Sequence, residues 1–412
     1  MSALPLTRAF PGAQRSAWIV IDDKRQAQAI ADALAADGWQ VCGVASGLAA
    51  ARRLLAATTN LPDVVVSGLR FADGDGLQLM RALAKRPHAP AMFIASRQQR
   101  AVIKGAAALA EACGLPLAGI AEQPVEAATI ARALAEFAGR RAAAPREARP
   151  PLKRAQLLAM LESDALRPWL QPKMRIDTRE VVGFEALMRA CDDDGQLILP
   201  DQLIGALAMH DLLDEATLRM ARQTVEFVAA CLGEGMAISA SINVSMQSLT
   251  DLMFCHELAA AVEQFGLDPS WITIEITESD AMADPVQVIE NATRIRLLGF
   301  NLAIDDLGTG WSSMDQLTRI PFSELKIERT FTSGVERDRG KRAIVRACAQ
   351  LGTELGLSVV AEGVETLAEL DFVAHAGCTQ VQGYLVARAM PAPAALAWLR
   401  GLDELRFELP AR

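Results

Sequence analysis

The sequence predicts two α/β domains in tandem: a doubly wound parallel sheet over residues 16–140, then a (β/α)8 barrel with one antiparallel strand over residues 155–412. Three observations carry this. Apolar runs of strand length alternate with amphipathic helical patterns along nearly the whole chain, as expected where crossover helices cover a parallel sheet. The alternation falls into two sets, five units and then eight, and eight units over about 240 residues is the length of a barrel. Between the sets, Arg140 to Arg154 is charged, rich in proline and without apolar periodicity, so residues 141–154 read as a linker. A chain of 412 residues exceeds one ordinary domain, and 51% apolar against 22% charged residues is enough to give each half a core.

The first set follows a tail of residues 1–15. Ala17 to Ile21 is a strand ending in the acids Asp22-Asp23, and Arg25 to Asp37 carries a helical stripe. Further strands are expected at Gln40–Ala45, Asp63–Val66, Ala91–Ile94 and Leu117–Ala121. Helices at Leu48–Ala57, Gly76–Lys85, Arg100–Cys113 and Val125–Phe137 fill the gaps.

In the second set, strands are expected at Trp169–Ile176, Val181–Ala190, Ile238–Ser245, Ile272–Thr277, Asn301–Asp306, Glu324–Arg329, Ser358–Glu362 and Gln380–Val386. Helices are expected at Leu203–Leu232, Cys255–Phe265, Pro285–Leu298, Lys341–Leu355 and Leu367–Ala376. Val181 follows the first strand too closely for a crossover helix, so these two strands are antiparallel. Seven strands carry a polar residue toward their C-terminal ends: Glu185, Asn243, Glu275, Asp305, Lys326, Glu362 and Gln382. A charge inside an apolar strand costs several kcal/mol unless paired or metal-bound. Seven polar residues converging on the face where barrel enzymes keep their chemistry therefore point to a site. Asp305 and Asp306 are adjacent, and two carboxylates side by side at a strand end suggest a cation between them. Gly308-Thr-Gly310 and Ser312-Ser313 follow as a flexible turn.

Composition narrows the chemistry. A net charge of −9 argues against a nucleic-acid groove, which needs a basic surface. The seven cysteines are scattered without a C-x-x-C pair and read as reduced, mostly buried thiols. The four histidines form no H-x-x-x-H or H-E-x-x-H spacing, which excludes the common zinc arrangements. No signal-peptide core and no run of about 20 apolar residues is present, so the expectation is a soluble, cytoplasmic protein with no membrane and no nucleic-acid partner.

Two resemblances refine this reading. The first domain resembles the flavodoxin-like receiver domain of two-component response regulators: Asp22-Asp23 matches its magnesium-binding acids, and Asp75-Gly76 the turn after its third strand. Gly68 stands where that family has the phosphate-accepting aspartate, Gln123 where it has lysine, and Ala95 where it has the switch hydroxyl, with Ser96 next to it as the alternative hydroxyl. Glycine has no carboxylate to phosphorylate, so a regulatory, docking or assembly role is expected instead. The second domain resembles the EAL-domain cyclic di-GMP phosphodiesterases through Gly183-Phe-Glu185-Ala-Leu-Met-Arg189, Leu170-Gln171-Pro172, Ser241-Ile-Asn243-Val-Ser245, Ile274-Glu275-Ile-Thr-Glu278, Asp305-Asp306-Leu-Gly-Thr-Gly310, Leu325-Lys326-Ile327, Ala361-Glu362-Gly-Val-Glu365 and Gln382-Gly-Tyr384-Leu385.

That resemblance implies hydrolysis of cyclic di-GMP to 5′-pGpG by two ions, Mg²⁺ or Mn²⁺. Glu185, Asn243, Glu275 and Asp305 would hold one, and Asp305 would bridge to a second held by Asp306 and Glu362. Oxygen ligands suit such hard cations, and two ions about 4 Å apart can acidify a bridging water and clamp a phosphodiester. Lys326, Glu362 and Glu185 are the implied catalytic residues, with Lys326 positioning or polarising the water and Glu362 the candidate general base. Gln171, Leu187, Arg189 and Gln382 would bind substrate, and Glu278 would anchor the Asp306–Ser313 loop. A homodimer or higher homo-oligomer is also implied, along with a protein partner at the receiver-like domain. Leu307 and Trp311 replace the family's Phe and Tyr, and Glu328 replaces its Asp. A misplacement of about 1 Å can cost on the order of 100-fold in rate. The competing readings are a catalytically idle cyclic di-GMP receptor and a scaffold that binds no nucleotide.

Overall fold

A computed structural model describes residues 15–402, apart from 59, 87, 125, 144–151, 164, 193–194, 282–283 and 308–313. The N-terminal tail, most of the linker, Val125 and the turn Gly308–Ser313 with Trp311 thus lie outside the described residues. The chain divides into two compact units between Pro150 and Pro151.

The first unit contains β1 (Ser16–Val20), β2 (Gln40–Ala45), β3 (Val64–Ser67), β4 (Arg70–Phe71), β5 (Gly74–Asp75), β6 (Ala91–Ser96) and β7 (Leu117–Glu122). Five of these form a parallel sheet in the order β2-β1-β3-β6-β7, the flavodoxin-like order in which helices cover both faces. Neighbouring residues of β1 therefore feed different cores. Ile19 packs with Ile30, Phe93 and Leu134, whereas Trp18 and Val20 pack with Leu79, Met80 and Met92. The antiparallel ribbon β4–β5 was not expected; at two residues per strand it is too short to leave an apolar pattern.

The second unit contains β8 (Leu166–Arg175), β9 (Val181–Ala190), β10 (Ser239–Asn243), β11 (Ile272–Thr277), β12 (Asn301–Leu307), β13 (Glu324–Ile327), β14 (Ser358–Ala361), β15 (Gln380–Gln382) and β16 (Met390–Pro391). Strands β9 to β15 are parallel. Strand β8 runs antiparallel between β9 and β15 and closes the barrel, with β16 added at its edge.

Alternation along each strand sorts side chains between two environments. Phe184 and Ala186, Ala240 and Ile242, Ile272, Ile274 and Ile276, and Leu325 and Ile327 all belong to the apolar core shared with the surrounding helices. Phe184 meets Phe227 edge-to-face at 5.3 Å between ring centroids. The residues between them, Glu185, Ser241, Asn243, Glu275, Glu324 and Lys326, are left to the lumen.

Two elements differ from expectation. The stretch Leu203–Leu232 is not one helix but two, Pro200–Met209 and Leu213–Gly233. Asp211 between them is left-handed at φ 55°, a conformation that acidic residues tolerate and that ends a helix without disturbing the apolar stripe. The last barrel strand stops at Gln382 rather than Val386. Gly383 has φ 158° there, and a Cβ at that position would stand 2.1 Å from the Val364 carbonyl oxygen. No helix among the described residues is long and apolar enough to cross a membrane.

Candidate active site

The lumen at the C-terminal ends of β9–β15 holds a cage of carboxylates around one ammonium. Lys326 Nζ lies 2.6 Å from Glu362 Oε1, 2.7 Å from Glu275 Oε2, 3.0 Å from Asp305 Oδ1 and 3.4 Å from Glu185 Oε2. Lys326 and Glu275 are both fully buried. Strand register explains the convergence: Asn243 pairs with Glu275 across β10–β11, and Gln171 with Glu185 across β8–β9. Glu185 accepts hydrogen bonds from Asn243 Nδ2 at 3.0 Å and Gln382 Nε2 at 2.6 Å. Gln382 Nε2 also reaches Gln171 Oε1 at 3.3 Å.

Alternation should send Asp306 away from the lumen if Asp305 faces it. Asp306 instead has φ 59°, and the β12–β13 register shifts between Ile304 and Leu307. The chain is thereby turned so that Asp305, Asp306 and Glu362 bring ligand oxygens within 4.8 Å of one another. Glu185, Glu275 and Asp305 form a second such group, so Asp305 belongs to both.

The remaining expected residues fall around this cage. Leu187 and Arg189 continue the Glu185 face of β9 and are half-buried, and Arg189 Nη1 donates to the Met188 carbonyl at 2.8 Å. Gln171 Nε2 reaches the Ala387 carbonyl at 3.4 Å. Glu278 is buried at the start of the short helix Glu278–Ala281, while residues 308–313 of the loop it was expected to anchor lie outside the described residues. Glu328 accepts from Thr330 Oγ1 at 2.6 Å, and its charge helps raise the Asp306 carboxyl.

Sequence reasoning missed a second buried tier beneath the cage. Lys173 Nζ donates to Ser241 Oγ at 2.6 Å and to Glu324 Oε1 at 2.8 Å, and lies 3.9 Å from Glu275 Oε1. The available signal was spacing: Lys173 is two residues from Gln171, and Glu324 two from Lys326, which puts each on a lumen face.

Electrostatics make the cage receptive to cations. Burial pushes Glu275 up to about 8, with Lys326 opposing and Glu185 adding to the rise. Burial, Asp305 and Glu328 push Asp306 up to about 6. Burial opposes charge on Lys326, but Glu185, Glu275, Glu362 and Asp305 outweigh it and hold the ammonium well above its ordinary value. One cation cannot satisfy this many acids, and Glu275 Oε1 is buried without a hydrogen-bond partner. That orphaned oxygen and the all-oxygen donor set fit a hard divalent ion.

A pH dependence follows. Asp306 and Glu275 have folded values above their unfolded ones, so the cation-free protein binds more protons folded than unfolded. The contribution of these two groups to stability is therefore greatest in acid and is lost as pH rises. In EDTA this contribution should lower the melting temperature from about pH 4, near the ordinary carboxyl values of 3.8 and 4.5, up to about pH 8, and the gain on adding Mn²⁺ should grow over the same range. A Mn²⁺ effect that shrinks with pH would contradict this.

In the first unit, Asp22, Gly68, Arg70, Ala95, Ser96, Arg97 and Gln123 line a cavity of about 410 Å³. Asp23 caps the helix Lys24–Ala36 through the Arg25 and Gln26 amides and pairs with Arg97 at 3.0 Å. Gln123 Nε2 donates to the Ala95 carbonyl at 3.1 Å.

Residues 154–389 match the EAL domain family. The chain belongs to that family. The chain is similar to the cyclic di-GMP phosphodiesterase RocR of Pseudomonas aeruginosa, at 27% identity over 332 residues covering 80% of this chain and 84% of RocR. It is also similar to the cyclic di-GMP phosphodiesterase NbdA of the same organism, at 34% identity over 248 residues, or 60% of this chain and 31% of NbdA. This chain thus spans about a third of NbdA's length. The solved structure of the P. aeruginosa MucR phosphodiesterase in complex with c-di-GMP superposes on the EAL domain with a TM-score of 0.56 at 33% identity, covering 58% of this chain and 99% of that one.

Proposed function

We propose that the EAL domain is a phosphodiesterase that opens cyclic di-GMP to linear 5′-pGpG, using two divalent ions, Mg²⁺ or Mn²⁺, in the carboxylate cage. The observation that carries this is the sharing of Asp305 between two carboxylate groups around Lys326. Charge supports it: Glu185, Glu275, Asp305, Asp306 and Glu362 against Lys326 leave four negative charges when fully ionised, which two divalent ions would neutralise. When bound, the ions would polarise the diester and acidify a water for in-line attack.

The chain's own residues supply the rest. Lys326, whose ammonium the surrounding carboxylates favour in the cation-free cage, would orient those carboxylates and position the attacking water. Glu362, raised well above an ordinary carboxyl chiefly by burial, is suited to take up a proton. Arg189 offers its guanidinium to phosphate, while Gln171, Leu187 and Gln382 line the site, with Gln382 Oε1 left as a free buried acceptor. Purified protein incubated with cyclic di-GMP and Mg²⁺ or Mn²⁺, followed by nucleotide chromatography, tests the reading. Linear pGpG is the expected product. Binding without turnover would indicate a receptor, and no binding a scaffold.

The first unit enters the same proposal as a receiver-like module that regulates or assembles the enzyme, through a protein partner or a homo-oligomer, without being phosphorylated. Gly68 supports this, having no carboxylate to accept a phosphoryl group. Acetyl phosphate and beryllofluoride should leave turnover and oligomeric state unchanged. Gly68→Asp should also leave turnover unchanged within about twofold. The variant should fold, because a Cβ at Gly68 would meet nothing closer than Phe71 at 3.5 Å. A response of the native protein to either reagent would overturn this part.

A further inference from the structure

Beside the cage stands a cationic and aromatic cluster that the roles above do not use. Tyr384, the only tyrosine of the chain, is 46% exposed although it is large and aromatic. The Arg388 guanidinium lies 3.9 Å from its ring centroid and that of Arg329 lies 5.8 Å from it. Both distances are within reach of a cation–π contact.

Each member is fixed next to a residue of the site. Tyr384 follows Gln382 across Gly383, whose backbone only glycine can occupy. The stem of Arg329 lies against Gly363, where an added Cβ would come within 2.2 Å of it, so Arg329 is held beside Glu362. Its guanidinium is tied to Glu365 at 2.7 Å. Arg388 follows Ala387, whose carbonyl accepts from Gln171.

A site with so many carboxylates repels a dianionic dinucleotide, so positive groups are needed where the substrate extends beyond the bound ions. The Arg388 guanidinium, held against the tyrosine ring, can still donate to acceptors on a purine or a phosphate, while Arg329 adds a second cationic group that is paired with Glu365.

Resting on the phosphodiesterase reading, we propose that Arg388, Tyr384 and Arg329 form a specificity-determining rim that binds the half of the cyclic dinucleotide farther from the carboxylate cage. The rim holds a purine and its phosphate by stacking and charge and takes no part in bond cleavage. A small diester such as bis(p-nitrophenyl) phosphate lacks the purine and the second phosphate that the rim would hold.

The test compares both substrates in the full-length protein with Mn²⁺. Arg388→Ala and Tyr384→Ala should each raise KM for cyclic di-GMP roughly tenfold with kcat within about twofold, because only substrate binding is weakened. Turnover of the small diester should not change. Tyr384→Phe keeps the ring and should behave as the native protein. An unchanged KM for cyclic di-GMP in Arg388→Ala, or an equal loss on both diesters, would overturn the rim while leaving the phosphodiesterase reading intact. Absence of any cyclic di-GMP turnover by the native protein would remove both.

Discussion

Glu275→Ala should abolish measurable turnover of cyclic di-GMP, and Glu185→Ala should do the same. The expected loss exceeds the roughly 10–100-fold that follows from disturbing an outer contact of a metal ligand. Glu275 is the more informative of the two. It is fully buried, its Oε2 accepts from Lys326 at 2.7 Å, and its Oε1, 3.9 Å from Lys173 Nζ, has no hydrogen-bond partner. Alanine would delete the oxygen best placed for a cation and leave Lys326 with three carboxylate neighbours, so the fold should survive. Calorimetric titration with Mn²⁺ should show weakened binding, with circular dichroism unchanged. Glu185 adds a second consequence: its loss strands Asn243 Nδ2 and Gln382 Nε2, both of which donate to it. Native-like turnover in Glu275→Ala would mean that the cage does not hold the catalytic ions.

Lys326→Met should have the largest effect on stability. Removing the central cation from this buried cluster leaves Glu185, Glu275, Asp305 and Glu362 facing one another with only Lys173, 3.9 Å from Glu275, to offset them. Breaking a buried ion pair by removing one partner costs about 3–5 kcal/mol, and here several pairs share the ammonium. In EDTA the barrel's denaturant transition should move down by about that amount. Because the same oxygens can take a divalent ion, saturating Mn²⁺ should recover a larger share of stability in the variant than in the native protein. Turnover should remain low even then, since Lys326 also sets where the carboxylates stand. A variant as stable as the native protein in EDTA would show that the ammonium is not what holds the cage together.

Much of this was legible in the sequence. The strands Val181–Ala190 and Ile272–Thr277 are found with the expected bounds; in Ile272–Thr277 the alternation of apolar and polar residues is unbroken from end to end. The antiparallel entry of β8 was legible from spacing alone, since no helix fits between Arg175 and Val181. The end of β15 was less clear: Tyr384-Leu-Val386 continues an apolar run, and only the approach of Gly383 to Val364 shows that pairing has ceased. Lys173 and Glu324 passed unnoticed because a lysine near a strand end normally reads as solvent-facing, and the two-residue spacing from Gln171 and Lys326 fixes the face they share without showing how deeply the lumen encloses it.

The sequence by itself determined that two α/β units stand in series, that the second closes as a barrel, and that its acids gather at one rim. Period and spacing are local properties, and they suffice for these points. The tertiary structure alone decided how those acids share one volume. Asp305 and Asp306 are adjacent, and strand alternation would separate their carboxylates. The left-handed backbone at Asp306 and the register shift against β13 return both to the cage beside Glu362. The ion pairs of Lys326 with four different strand ends likewise depend on barrel closure, because charges far apart along the chain acquire a common neighbour only when the sheet curls back on itself.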